Sequence, residues 1–227
     1  MDMDKAVTYE AKGDGARTTV TFKTAQLKGW TIEVIHKDVS AIGRGFLRIS
    51  PKDVEVRAHY VDTSLLFRWD EKGRFFVDDA TGLDALEGQL VDWKAVREAA
   101  KDALFEHLAH FGWEELERTG SMYLYDDICQ EVMTAEDLRR IREDCLKGFE
   151  STAMSEEQRA AEIEADPILD PDFDLSSKYY VVPTSPDDYG AYDTFDGPRD
   201  LFDFIAYADR QRKVWWVEED EEEGGEK

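Results

Sequence analysis

The chain has 227 residues, 42% hydrophobic and 12% aromatic, enough to bury a core without disulfides and too apolar for disorder throughout. Its formal net charge is −24, which disfavours direct binding of nucleic acid through phosphate neutralisation. No apolar run approaches the roughly 20 residues of a membrane span, and the opening MDMDKAVTYE has neither a basic n-region nor an apolar h-region, so a soluble, cytoplasmic protein is expected.

Residues 5–80 read as strands. KAVTYEAKGDGARTTVTFK holds two β-rich runs around Gly13-Asp14-Gly15, a hairpin signal. WTIEVIH, GFLRIS, DVEVRAHYV, TSLLFRW and RFFVDD follow, with a turn at Asp70–Gly73 before the last. Val54, Val56, Ala58 and Tyr60 alternate with Glu55, Arg57 and His59, the period of a half-buried strand. The spacing predicts an antiparallel sheet of about six strands, curled or barrel-like.

The period then changes. Asp92 is placed to cap a helix over 93–111, with Val96, Ala100, Leu104, Leu108 and Phe111 on one face and Gly112 as its stop. A second helix is expected over SMYLYDDICQEVM, residues 121–133. A third starts at Thr134 with Asp137 as capping-box partner and a stripe of Leu138, Ile141, Cys145 and Phe149. A fourth runs from Ser155, with Gln158 in the same role, to Asp166-Pro167, and its few apolar residues place it outside. From 166 to 198 the chain reads as loops around the strand KYYVVP. A helix over 199–211 with Leu201, Phe202, Ile205 and Ala208 on one side, and a final strand KVWWV, complete an α+β fold. The organisation is a neutral β-rich region (1–80), a helical acidic region (81–166), an acidic α/β segment packing back on the core (167–217) and a disordered acidic tail (218–227).

Charge changes along the chain. Residues 1–80 hold 13 basic and 13 acidic side chains, residues 81–150 hold 8 and 17, and residues 151–227 hold 7 and 22. A general surface adaptation would acidify every region, so the acidity belongs to one part of the molecule. The two cysteines, Cys129 and Cys145, have no CxxC spacing and are expected as small buried side chains in a reducing compartment.

Motifs for chemistry are sparse. His107 and His110, with Glu114 four residues on, would share a helix face suited to a divalent metal if the helix continued past Gly112. His107 also lies on the apolar stripe, where a histidine ordinarily packs. Asp170, Asp172 and Asp174 begin like a calcium loop, but Leu175 stands where that loop needs glycine and Val181 where it needs an acid. Turn-forming aspartates are the simpler reading. No GxGxxG, GxxxxGK[ST] or GxSxG is present. Arg44, Arg48, Arg57, Arg68 and Arg74 beside Phe46, Tyr60 and Trp69 suggest a single-strand platform, diluted by the acids of the same region.

The acids are the stronger signal. A folded chain of this length exposes roughly 10,500 Å², or about one net charge per 440 Å². A DNA duplex carries near ~1 per 100 Å², so phosphate mimicry requires the acids to gather on one face. The expectation is a non-enzymatic acidic binding protein, without cofactor, facing a basic partner that binds or cleaves nucleic acid. Its logic is that of a DNA-mimic anti-defence inhibitor or an immunity protein. Candidate contacts are Asp126, Asp127, Asp187, Asp188, Asp193 and Asp196, with Tyr189 and Tyr192 as aromatic anchors. The tail acids from Glu218, Glu219 and Asp220 to Glu223 would steer encounter more than dock. The alternatives are a metal-dependent enzyme using the histidine or aspartate cluster, and a plain structural protein kept soluble by its charge. No oligomeric state is legible.

Overall fold

The computed structural model describes residues 4–12, 15–36, 54–69, 75–125, 129–152, 154–182 and 193–210. Six strands form an antiparallel sheet in sequence order: β1 (Lys5–Lys12), β2 (Gly15–Phe22), β3 (Thr31–His36), β4 (Val54–Tyr60), β5 (Thr63–Trp69) and β6 (Phe75–Thr81). Side-chain alternation puts Val20, Ile32, Val34, Val56, Ala58, Leu65 and Phe67 on one buried face. The sheet is open, with β1 and β6 at its ends, so the barrel-like expectation is corrected. GFLRIS and the turn at Asp70–Gly73 lie outside the described residues.

Helix α1 (Trp93–Thr119) crosses the buried face. The Asp92 side chain accepts from the Ala95 N–H at 3.0 Å, satisfying one of the four unpaired donors of the first turn. The helix does not stop at Gly112. It runs seven residues further, to Thr119, and ends at Gly120 in the left-handed conformation with φ 76°. An interior glycine weakens a helix by about 1 kcal/mol. Burying Leu116 and packing Trp113 on the core outweighs it. Ala99, Ala100, Ala103, Leu104 and Phe105 are all buried, because α1 is enclosed by the sheet on one side and by α4 (Pro198–Arg210) on the other. Leu201, Phe202 and Ile205 of α4 complete that contact, with Phe202 edge-on to Phe105.

A second antiparallel sheet has the order β10-β9-β8-β7, from β7 (Met122–Tyr125), β8 (Cys129–Thr134), β9 (Tyr179–Val182) and β10 (Thr194–Phe195). Residues 121–133 are therefore a hairpin rather than a helix. The pairing sets Met122 opposite Val132, both buried. Alternation with two tyrosines and a valine favours a strand, and the acid pair at 126–127 divides the two runs.

The second sheet is a middle layer. Tyr179, Val181 and Val132 face the α1 core, whereas Tyr180, Met133 and Val182 face a smaller cluster with Leu138, Ile168 and Leu169. That outer cluster is covered by α2 (Ala135–Ser151), α3 (Glu156–Ala165) and a 3-10 turn, Pro167–Leu169. Thr134 caps α2, accepting from the Asp137 N–H at 3.1 Å, and Ser155 with Gln158 forms a full capping box on α3. The α2 stripe is rotated from the expected one. Leu138 is buried and Phe149 packs beside it, but Ile141 and Cys145 are exposed. Arg142 takes the inward place, donating to the Ile168 carbonyl at 2.6 Å while its stem covers apolar surface. Cys145 is thus corrected from buried to exposed, and α3 buries no residue, as its composition predicts. KVWWV lies outside the described residues, in which no helix is long and apolar enough to cross a membrane.

Candidate functional site

The layer of α2, α3 and the following loop has an uneven charge economy. Residues 131–174 hold 14 acidic and 5 basic side chains. Three of the five basic groups serve backbone carbonyls. Arg139 donates to Leu175 O at 2.8 Å, Arg142 to Ile168 O, and Arg159 to Phe149 O at 3.3 Å. Those bonds close helix ends and turns, and they leave carboxylates without counter-charge. Arg140 pairs with Asp137, and Lys147 with Glu143 and Asp144. Glu136, Glu150, Glu156, Glu157, Glu162 and Glu164 are exposed, and none is in an ion pair among the described residues. On the neighbouring β8, partial burial and then the Asp137 charge raise the Glu131 pKa.

Of the expected contacts, Asp193 and Asp196 are both exposed, near β10. Asp196 is a structural acceptor. It takes the Lys178 N–H at 2.7 Å and the Ser177 hydroxyl at 3.2 Å, fixing the entry to β9. Asp126, Asp127, Asp187, Asp188, Tyr189, Tyr192, Glu218, Glu219 and Asp220 lie outside the described residues. The α3 carboxylates, absent from the expected set, are exposed and follow one another along a single helix. Their signal in the sequence was the lack of apolar residues on that helix.

The histidines do not converge on a metal position. His107 points from α1 into the sheet, fully buried, with Nδ1 2.9 Å from Thr18 Oγ1. Its Nε2 has no hydrogen-bond partner among the described residues. Burial, then the neighbouring His36 and His110, push its pKa down to about 3, so the ring is neutral. His36 meets it edge-on at 5.8 Å. His110 instead stacks on Tyr9 at 5.5 Å, and the Tyr9 hydroxyl donates to Glu114 Oε2 at 3.1 Å. Burial and the Glu114 charge raise the Tyr9 pKa, which keeps that hydroxyl a donor.

Asp170, Asp172 and Asp174 also act locally. Asp170 accepts from the Asp172 N–H at 2.8 Å and Asp174 from the Ser176 N–H at 3.0 Å, as turn-forming aspartates do. Among the described residues no group of three or more His, Cys, Asp or Glu is arranged to hold a metal ion.

The arginine–aromatic platform does not assemble on one face. Arg57 and Arg68 lie on the outer side of the sheet, paired with Glu55 and Asp78. Tyr60 lies on the inner side, stacked on Trp30 at 5.3 Å. Arg44, Phe46, Arg48, Arg74 and the side chain of Trp69 are outside the described residues.

Comparison of the chain with protein-family models, curated proteins and solved structures finds no match. The functional reading therefore rests on its own residues.

Proposed function

We propose that this is a non-enzymatic acidic binding protein whose α2–α3 layer faces a basic protein partner. In this reading the partner binds or cleaves nucleic acid, and the carboxylates occupy the place of phosphates on its surface. One observation carries the proposal: exposed glutamates on α2 and α3 are left without counter-charge, while nearby arginines are spent on carbonyls. Concentrated like charge lowers the stability of a free protein, so its retention favours a complementary partner. Spacing is compatible with mimicry. Glu157 and Glu164 are seven residues apart on α3, which is about 10.5 Å along the axis, close to three phosphate steps of about 3.4 Å. No cofactor enters this reading.

The test is capture of partners from the native host's lysate by the full chain at low salt. A nucleic-acid-binding protein that elutes with rising salt and is displaced by added duplex DNA is the expected result. The variant Glu157→Lys/Glu162→Lys/Glu164→Lys should lose it, and because α3 buries no residue the variant should fold. A partner held equally at high salt, or one indifferent to these changes, would overturn the proposal.

A further inference from the structure

The far edge of the first sheet differs from the rest of the neutral region. Among the described residues β6 pairs only with β5, so one side of its backbone is an open edge. Phe76 and Val77 are 40% and 44% exposed on it. At its end the chain doubles against the β4–β5 hairpin. Gly82 has φ 67°, and a Cβ there would stand 2.1 Å from the Asp62 carbonyl oxygen. Thr63 Oγ1 donates to Gly82 O at 2.8 Å. Val61 and Leu83, the chain neighbours of the two residues in that close approach, are 74% and 48% exposed.

Val61 is unusual twice over. It is an apolar tip residue, and its φ of 52° is the only positive value on a non-glycine among the described residues. A β-branched residue is among the poorest choices for that backbone.

The edge is also one-signed. From Phe75 to Asp92 the chain has five carboxylates and no Lys or Arg. Asp78 pairs with Arg68 at 2.8 Å. Asp62, Asp79, Asp84 and Glu87 are exposed and in no ion pair among the described residues.

This pattern selects an occupant. A second copy would set the Asp78–Asp79 segment against itself, on a molecule of charge −24, and like charges directly opposite on paired strands are destabilising. A strand that alternates basic and apolar side chains avoids that like-charge contact. Phe76 to Thr81 spans about 17 Å, the length of five to six extended residues, with Val61 and Leu83 as a further apolar contact.

We propose that the β6 edge docks an extended basic segment of the partner as an added strand. The inference rests on the basic-partner reading and adds an anchoring site apart from the α2–α3 layer.

The probe is an alternating Lys–Val peptide about eight residues long, with a Lys–Pro peptide of the same length and charge as control, since proline cannot donate ladder hydrogen bonds. Amide exchange and chemical shifts of the full chain are read. The expected result is protection of Phe75–Thr81 by Lys–Val alone. Phe76→Ser/Val77→Ser should weaken Lys–Val binding about tenfold or more and leave Lys–Pro binding unchanged, with near-UV dichroism confirming the fold. If Lys–Val perturbs α3 instead, or binds no better than Lys–Pro, the edge is not the site, while the basic-partner reading stands. Binding of neither peptide would overturn both. Concentration-dependent dimerisation, abolished by the same two changes, would assign the edge to a second copy and overturn the proposal.

Discussion

The six-stranded sheet and the α2–α3 layer handle charge in opposite ways. On the outer face of the sheet, carboxylates meet bases on the same or neighbouring strands: Arg17 with Glu33 at 3.2 Å, Arg57 with Glu55, and Arg68 with Asp78. These pairs are local. In the α2–α3 layer Arg139, Arg142 and Arg159 donate to carbonyls, and only Arg140 and Lys147 pair with acids, so the remaining exposed glutamates are in no ion pair among the described residues. Polar groups in the first region complete a surface, whereas in the second the bases complete a fold and the acids remain available. Net charge alone does not separate these cases; the partners of each base do.

The contrast is broken most severely at an ion pair that ties the sheet to α1. Lys5 Nζ lies 2.5 Å from Glu106 Oε1, with side-chain exposures of 15% and 12%, and Lys5 also sits 4.8 Å from the Phe202 ring. Lys5→Met leaves Glu106 buried beside Asp102, whose pKa is already raised, chiefly by burial. The expected loss is about 3–5 kcal/mol in urea unfolding, and Lys5→Met/Glu106→Leu should recover most of it. An unchanged urea midpoint in the single variant would show that the pair is not a structural tie.

His107 gives the next largest effect. Its pKa falls from 6.5 to about 3 on folding, so the unfolded chain takes up the proton first. Stability from this group is full above about pH 6.5 and is lost as pH falls toward about 3. At pH 5 the loss is about 2 kcal/mol. His107→Leu removes the Thr18 partner and lowers stability throughout, but its unfolding free energy should fall less between pH 7 and pH 5 than that of the unaltered chain. Parallel pH profiles would place the acid sensitivity elsewhere.

A change of opposite sign is expected at Val61. Val61→Asn suits the left-handed backbone better and should raise stability by about 1 kcal/mol, read as a higher urea midpoint. A destabilised variant would mean that the exposed valine packs more than its 74% exposure suggests.

Much of this fold was legible where one period persisted. The alternation in β4, the Thr134 and Ser155 caps, and the polar face of α3 all read directly, because each is a local rule with little tertiary competition. The errors fall where tertiary contact overrides a local signal. Gly112 reads as a stop, but sheet and α4 enclose α1 on both sides and the burial of Leu116 carries the helix on. Residues 121–133 are apolar enough for either element, and pairing with β9 decides for strands. On α2 the apolar stripe predicts Ile141 and Cys145 inward, yet Arg142 occupies that side, because a carbonyl at Ile168 needs its donor. The layer's character was half legible. The count of acids is a property of the sequence, but whether a base neutralises an acid or a carbonyl is a property of the fold.

That last distinction yields the smallest effect and the most direct comparison. Glu33 accepts from Arg17 at 3.2 Å and lies 3.9 Å from His59 Nε2. Glu33→Lys replaces attraction with repulsion on a partly exposed pair and should lower stability by about 0.5–1 kcal/mol. Glu162→Lys/Glu164→Lys on α3 breaks no ion pair and relieves repulsion, so it should raise stability by about 0.5 kcal/mol at low salt. Both shifts should shrink between about 0.05 M and about 0.5 M NaCl as the screening length shortens. Urea midpoints at the two salt concentrations decide it. Equal signs for the two variants would mean that the acids of α3 are compensated after all, and that the two regions do not differ in the way their hydrogen bonds suggest.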